Sequence, residues 1–458
     1  MSCIKAIDFN NHIYNTKEQV NGFGSKTELF CFNAEEKFSD TWSKVQNEPE
    51  KKTNKIKKNI PRTVLNSNEK ILYAKIHNFL SEDMQDKLYK CLNSGKLLNS
   101  ESNDNSTVLD NLYKIISIPR TSEVDSKIIL NECINIIDNP LIVTQYMEDI
   151  PKKYMDEAAE YVYGDEEKCR QERKEIAKYS NYMRELILYS GEEKLNKEQE
   201  IKRIKNVIEN TEGGTCVAAS IEFVFASKYP AEFVRIIEGL TSKNKSVKKV
   251  VDCKRANLVD DEISIFATPY NNKNGKKEFI LRTDGGAYVL AKIQKECQNE
   301  YERTTIDILF QSLVFQIASQ GTYNSITDTH SSLFNKEGGL NSTEKEYALK
   351  ILTGRDVKGK LYRNYNNKKL CKNADNKIIE KDIEKELKKG KLIMISINCS
   401  NDKNILTDGH EITIISKQKK SDGKEYYVCK DSDELESTPL YVEKDILLDQ
   451  IFYICTIK

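Results

Sequence analysis

The chain has 458 residues, enough for roughly two to four domains and for at least one sizeable hydrophobic core. Its 71 basic residues balance 71 acidic residues, so charge favours neither a polyanionic partner nor an anionic membrane surface, and we expect no nucleic-acid binding. Twelve cysteines stand singly, without a Cys-x-x-Cys pair or a histidine at metal-ligand spacing. This pattern argues against a zinc site and a disulfide scaffold, and we expect no metal and no cofactor.

The N-terminus lacks the basic-then-apolar order of a signal peptide, and no stretch approaches the roughly 18 apolar residues of a membrane span. Cys399 and Cys455 lie within or beside apolar runs, where a reduced cysteine behaves as a small hydrophobic residue. We therefore expect a soluble protein without a classical signal peptide, cytoplasmic or delivered into a reducing cytosol. The sequence leaves its oligomeric state open.

In chain order, residues 1–68 are predicted to be an N-terminal segment that ends in a charged, apolar-poor linker. Over residues 69–208 apolar side chains recur at spacings of three and four, as at Leu72, Ile76, Phe79 and Leu80. This period predicts a helical domain, whose role the sequence does not define.

Helix breakers divide this helical region and the segment after it. Pro140 and Pro151 are expected to interrupt helices, and Tyr229 with Pro230 is expected to end the helix that follows residue 215.

From residue 209 to residue 458 the sequence changes to helices mixed with short β-type runs that are separated by turn signals. A helix-rich half followed by a strand-rich half predicts an α+β domain with two lobes. The predicted strands cover residues 263–267, 278–281, 392–398, 410–416, 426–429 and 451–457.

Cys216 is the candidate nucleophile. It follows Gly213 and Gly214, which favour a turn that can approach a substrate, and it begins an apolar run typical of a helix. The free N–H groups at a helix N-terminus stabilise negative charge, so a cysteine at this position favours the reactive thiolate. A packed core cysteine is the alternative interpretation of the same residue.

His410 and Asp431 are the candidate partners of this thiol. His410 begins an apolar strand, an Asp-Gly turn follows, and Asp431 ends the next strand. Two antiparallel strands joined by that turn bring the imidazole and the carboxylate together. Cys216 could then attack a carbonyl, His410 could carry the proton, and Asp431 could hold the imidazole in the required tautomer. A structural histidine and a solvent-facing aspartate are the alternatives.

These segments resemble a papain-like cysteine peptidase, and among its branches the calpain type. The resemblance covers about residues 205–458. It rests on Gly-Thr-Cys at 214–216, Gly-His-Glu at 409–411, Lys-Asp-Ser at 430–432, and the order of a helix at 308–318, Gly-x-Tyr at 321–323, Gly-Gly at 338–339 and Leu-Thr-Gly at 352–354.

The resemblance implies a helical lobe and an antiparallel β lobe, with Cys216, His410 and Asp431 as catalytic residues. The family's oxyanion donor is a glutamine six positions before the nucleophile, and Asn210 holds that position here. Asp431 replaces the family's usual asparagine. No tryptophan follows Cys216 or Asp431, whereas the family shields its His–Asn bond with one.

We therefore expect a cysteine endopeptidase that acts on a protein or peptide substrate, with the helical N-terminal region recognising the substrate or regulating access. The same triad serves transglutaminases and glutamine deamidases. A catalytically inactive papain-fold binding protein is a further alternative, because Asn210 is a shorter donor than glutamine.

Overall fold

A computed structural model of the chain describes residues 61–145, 150–177, 196–210, 214–258, 266–267, 275–297, 303–330, 339–366, 368–400, 404–406, 409–433 and 437–458. The helices are α1 (Ser67–His77), α2 (Glu82–Asn93), α3 (Val108–Ser117), α4 (Ser126–Asp138), α5 (Lys152–Ala177), α6 (Lys197–Glu209), α7 (Cys216–Lys228), α8 (Pro230–Thr241), α9 (Gly285–Cys297), α10 (Thr305–Ala318), α11 (Ser342–Thr353), α12 (Asn376–Leu387) and α13 (Lys444–Gln450).

The strands are β1 (Val247–Asp252), β2 (Lys276–Leu281), β3 (Val357–Leu361), β4 (Arg363–Asn366), β5 (Lys369–Asn373), β6 (Ile393–Asn398), β7 (Gly409–Lys419), β8 (Glu425–Asp431), β9 (Leu440–Glu443) and β10 (Ile451–Ile457). The predicted α+β class is confirmed. Most of the predicted N-terminal segment, and most of the predicted strand at 263–267, lie outside the described residues.

Six strands form one antiparallel sheet in the order β3-β10-β6-β7-β8-β9. β7 lies inside this sheet, with β6 on one side and β8 on the other. Because β7 and β8 are antiparallel and joined by a short turn, the start of β7 lies beside the end of β8. Two smaller two-stranded sheets pair β1 with β2 and β4 with β5.

Proline determines where three helices begin or end. α4 stops at Asp138 before the 3-10 turn Pro140–Ile142, and α5 starts directly after Pro151. Pro230 is the first residue of α8, directly after α7 and its C-cap Tyr229. Proline lacks a backbone N–H, so it is tolerated in the first turn of a helix but not in the interior.

α7 is buried on all sides. Residues 217–226 are all buried, including the small residues Ala218 and Ala219 that permit close packing. A helix without a polar face is stable only inside a core. α7 accordingly packs against α8, α10 and β7. Cys216, its first residue, lies at the N-terminal end of this buried helix.

One hydrophobic core crosses the predicted domain boundary at residues 208 and 209. It contains apolar residues from Ile76 in α1 to Cys455 in β10. α3 packs against α8, and α4 packs against α7 and α10. The helices of the N-terminal half therefore belong to the same core as the segment predicted to be catalytic, because their apolar faces are buried against it.

A second core covers the other face of the six-stranded sheet, where α12 and α13 pack. The central strand β6 is thus buried on both faces, which explains why it has a mostly apolar sequence instead of an alternating one. Among the helices of the described residues, none has the length and apolarity needed to cross a membrane.

Candidate active site

Cys216 is the first residue of α7, as the sequence predicts, and its side chain is partly exposed. The backbone N–H groups of this first turn have no intrahelical partner, and the Thr215 side chain does not cap them. They leave the helix N-terminus free to stabilise a thiolate or a developing oxyanion. Five other described cysteines are buried, and burial raises the pKa of one of them, Cys91, to about 12.

The segment before Cys216 is held by a loop that the sequence did not single out. The Gly214 backbone N–H donates to Asp328 Oδ2 at 2.9 Å, and the buried Tyr323 hydroxyl donates to Asp328 Oδ1 at 2.7 Å. Asp328 has a φ of +45°, a strained conformation for a residue other than glycine. Gly339 also approaches closely, since a Cβ there would lie 3.4 Å from the Gly214 carbonyl oxygen.

The structure brings His410 and Asp431 together. In the register of the sheet, Asp431 pairs with Ile412, so Asp431 lies diagonally from His410 across the β7–β8 pair. His410 Nε2 and Asp431 Oδ1 are 2.7 Å apart, and the side chains are only 12% and 8% exposed. The Asp433 backbone N–H donates a second hydrogen bond to the same carboxylate oxygen, at 3.0 Å.

His410 also interacts with Cys216, which completes the predicted set of three. Burial disfavours the charged imidazole, but hydrogen bonds with Asp431 and Cys216 outweigh burial and raise the pKa of His410 well above 6.5. Burial likewise opposes ionisation of Asp431, and the hydrogen bond from His410 overcomes it and lowers the Asp431 pKa. This arrangement favours a charged imidazolium beside the Cys216 thiol.

Contacts between α7 and β7 fix the distance between the two halves of the site. Ser220, one turn after Cys216, donates to the Glu411 carbonyl at 3.4 Å. The Glu411 side chain forms a salt bridge of 2.7 Å with Lys345 of α11, and both side chains are 1% exposed. Ser396 of β6 donates to the same carboxylate at 2.6 Å. The residue after His410 is therefore tied to α7, α11 and β6.

Among the described contacts, none joins Asn210 to Cys216, His410 or Asp431. Asn210 follows α6 as its C-cap, and its amide donates to the carbonyl of Asn206 at 2.6 Å on an exposed surface. A short amide side chain closes readily on the helix that it ends, whereas a donor to the oxyanion must extend towards Cys216. The first backbone N–H groups of α7 are the donors that the described residues place beside the thiol.

Asp433 is a further carboxylate near His410, and no pattern in the sequence indicates it. Its Oδ2 lies 3.6 Å from His410 Nε2, and its side chain is 57% exposed. One potential ligand atom from each of His410, Asp431 and Asp433 lies within 4.8 Å of the others, a spacing that a metal ion could use. The imidazole nitrogen of this group, Nε2, is already hydrogen-bonded to Asp431.

Comparison of the chain with protein-family models, with curated proteins and with solved structures finds no match. The functional assignment therefore depends on the residues of the site and on their geometry.

Proposed function

We propose that the chain is a cysteine-nucleophile acyl-transfer enzyme, and within that class a papain-like peptidase. The observation that carries the proposal is the buried His410–Asp431 hydrogen bond, with the Cys216 thiol at the N-terminus of a buried helix and close enough to His410 to raise its pKa. A nucleophile beside a base, and an orienting group hydrogen-bonded to that base, are the parts that such catalysis requires.

In the proposed reaction the Cys216 sulfur forms a bond to the carbonyl carbon of a peptide, and the carbonyl electron pair moves to oxygen. The backbone N–H groups that begin α7 are suited to stabilise this oxyanion. His410 then donates its proton to the leaving amine as the C–N bond breaks, which leaves a thioester on Cys216. Water attacks the thioester while His410 accepts its proton, and the thiolate is released.

Asp431 keeps the imidazole oriented and stabilises its charged form through both proton transfers. A full carboxylate does so more strongly than the neutral amide usual in papain-like peptidases, because its charge attracts the imidazolium. The Asp431 carboxylate, together with Cys216, raises the pKa of His410 against the effect of burial.

The proposal is tested by incubating the full chain with a peptide library derived from a whole proteome and analysing the products by mass spectrometry. We expect new peptide termini that are lost in Cys216→Ser and in His410→Ala. Conversion of glutamine side chains without new termini would instead assign the same residues to deamidation or transglutamination. Products that persist in Cys216→Ser would overturn the role of the thiol.

A further inference from the structure

One segment of the N-terminal half contacts the loop that carries the orienting carboxylate. Thr144 Oγ1 donates to the Ser432 carbonyl at 2.9 Å, and the Gln145 backbone N–H donates to the same oxygen at 3.1 Å. At the start of the segment, the Asn139 amide donates to the Ser437 carbonyl at 3.2 Å. We call residues 139–145 the brace.

These hydrogen bonds hold the chain directly after strand β8 ends. β8 ends at Asp431, and the next described strand, β9, begins at Leu440. The Ser432 carbonyl and the Asp433 N–H belong to one peptide unit, and that N–H donates to Asp431 Oδ1 at 3.0 Å. Fixing the Ser432 carbonyl therefore fixes a donor to the Asp431 carboxylate. Thr144 and Ser432 are 4% and 2% exposed, so water competes little for this hydrogen bond.

The brace is also tied to the helix that carries the thiol. Gln311 of α10 donates to the Thr144 carbonyl at 2.9 Å and to Glu222 Oε2 of α7 at 2.9 Å. Gln311 and Glu222 are fully buried. The 3-10 turn within the brace packs against α7 as well. The brace therefore connects α7, which begins with Cys216, to the loop that follows Asp431.

We propose that the brace positions Asp431 against His410, so that the N-terminal half completes the active site instead of acting only as a separate recognition module. The inference rests on the proposed function, because it gives the brace a role in a proton-transfer site. Thr144 is on this account a positioning residue: it touches neither the thiol nor the imidazole and acts through Ser432. In a chain without a tryptophan after Cys216 or Asp431, the brace supplies the support for the His–Asp pair.

The test compares Thr144→Val, which removes the hydroxyl at nearly constant shape, with Thr144→Ser, which keeps it. The full chain is labelled with ¹³C-histidine, and His410 is assigned among the four histidines with His410→Ala. We expect Thr144→Val to move the titration of His410 to lower pH, by up to about one pH unit, and Thr144→Ser to restore it. The rate of Cys216 alkylation by iodoacetamide at pH 6 should fall about three- to tenfold in parallel.

Thr241→Val is the matched control. The Thr241 side chain is also fully buried and donates to a backbone carbonyl, that of Ile237, at 2.7 Å, but away from the site. It should lower the melting temperature without moving the His410 titration. Asn139→Ala, a milder change at the other end of the brace, should move the titration in the same direction as Thr144→Val.

The outcomes separate the inference from the proposed function. If Thr144→Val lowers the melting temperature as Thr241→Val does and leaves the His410 titration and the alkylation profile unchanged, the brace has only a structural role and the inference is overturned. If the His410 titration depends on Thr144 but Cys216 is no more reactive than the other exposed thiols, the positioning role stands and the proposed catalysis fails.

Discussion

At the scale of single residues, Asp431 and Cys216 together raise the pKa of His410 against the effect of burial. The raised His410 pKa means that the protonated imidazole stabilises the folded chain below pH 6.5, and that this contribution is lost as pH rises through the raised pKa. For Asp431 the pH dependence of the stabilisation runs in the opposite direction, because the Asp431 pKa is lowered. Its contribution is present above pH 3.8 and is lost as pH falls through the lowered pKa.

Asp431→Asn keeps a hydrogen-bond acceptor but removes the charge. We expect the His410 pKa to fall towards its ordinary value, and the alkaline limb of the activity profile to move to lower pH with it. Histidine NMR titration and the pH dependence of kcat/KM check this. Asp433→Asn is the control: Asp433 is more distant from the imidazole and largely exposed, so solvent screening should leave a smaller change. Equal effects of the two variants would contradict the assignment of Asp431.

The loop contact at Gly214 gives a second prediction at this scale. Tyr323→Phe removes the hydroxyl that holds Asp328, and we expect a lower kcat with little change in KM, because Gly214 and Cys216 lose their fixed placement. The matched control is Tyr288→Phe, which removes a buried hydroxyl that donates to the Leu240 carbonyl at 2.8 Å. Both variants should cost about 1 kcal/mol in the free energy of unfolding, but only the first should reduce kcat. Equal kcat values would refute a positioning role for Tyr323.

The site residues differ in how far the sequence could predict them. Cys216, His410 and Asp431 each follow a local signal, namely the start of a helix, the start of a strand and the end of the next strand. Asp328 and Thr144 give no such signal, because they act through partners more than 100 positions away in sequence, Gly214 and Ser432. Only the family resemblance points to Asn210, through its position six residues before Cys216, whereas its described hydrogen bond is that of the C-cap of α6.

At the scale of elements, α7 and α10 share a buried pair of carboxyl groups. Burial raises the Glu222 pKa well above 4.5, and burial raises the Asp307 pKa to about 6. Arg303 and Gln311 face the same pair and lower the Glu222 pKa only in part. Because the folded-state pKa values are raised, this pair costs stability as pH rises above 4.5.

Glu222→Gln should therefore stabilise the fold at pH 8 relative to the unsubstituted chain and have little effect at pH 4.5. Glu232→Gln in α8 is a control of opposite sign, because Glu232 is buried against Arg235 and Lys249 and its pKa is lowered. That variant should destabilise the fold at pH 8. Thermal unfolding of both variants at pH 4.5 and pH 8 tests this prediction. A loss of stability in Glu222→Gln at pH 8 would contradict a destabilising effect of the buried carboxyl pair.

Elements with a strong apolar run were predictable and polar ones were not. β10 occupies the predicted residues 451–457, and β6 begins one residue later than predicted. β3 was missed because this edge strand is rich in lysine and has only one buried residue, Val357. The β4–β5 hairpin was missed for the same reason, since its strands expose most of their side chains. A strand without a buried face has no alternation to detect.

At the scale of the whole molecule, the shared core predicts that the two halves fold together. A chain of residues 209–458 alone would expose the surfaces of α7, α8 and α10 that α3 and α4 cover. We expect it to be insoluble or to lack a cooperative thermal transition by circular dichroism. A chain that starts at residue 61, before the first described helix, is the matched control and should fold. A cooperative, soluble 209–458 chain would contradict the single core.

The composition of the sequence does not reveal that the two halves share one hydrophobic core. The change from helical period to β-type runs near residue 209 is real, but it marks where strands begin and not where one core ends. Packing between distant segments, such as α3 with α8, depends on complementary surfaces that a linear pattern does not display.

The most direct test of the account is a map of thiol reactivity. Full-length protein is treated with limiting iodoacetamide across a pH series, and the alkylation of each cysteine is followed by mass spectrometry. We predict that Cys216 reacts well before Cys297, Cys371 and Cys399, retains its reactivity below pH 7, and loses this advantage in His410→Ala. Uniform labelling of the accessible cysteines, or a Cys216 rate that does not depend on His410, would contradict an activated thiolate at the start of α7.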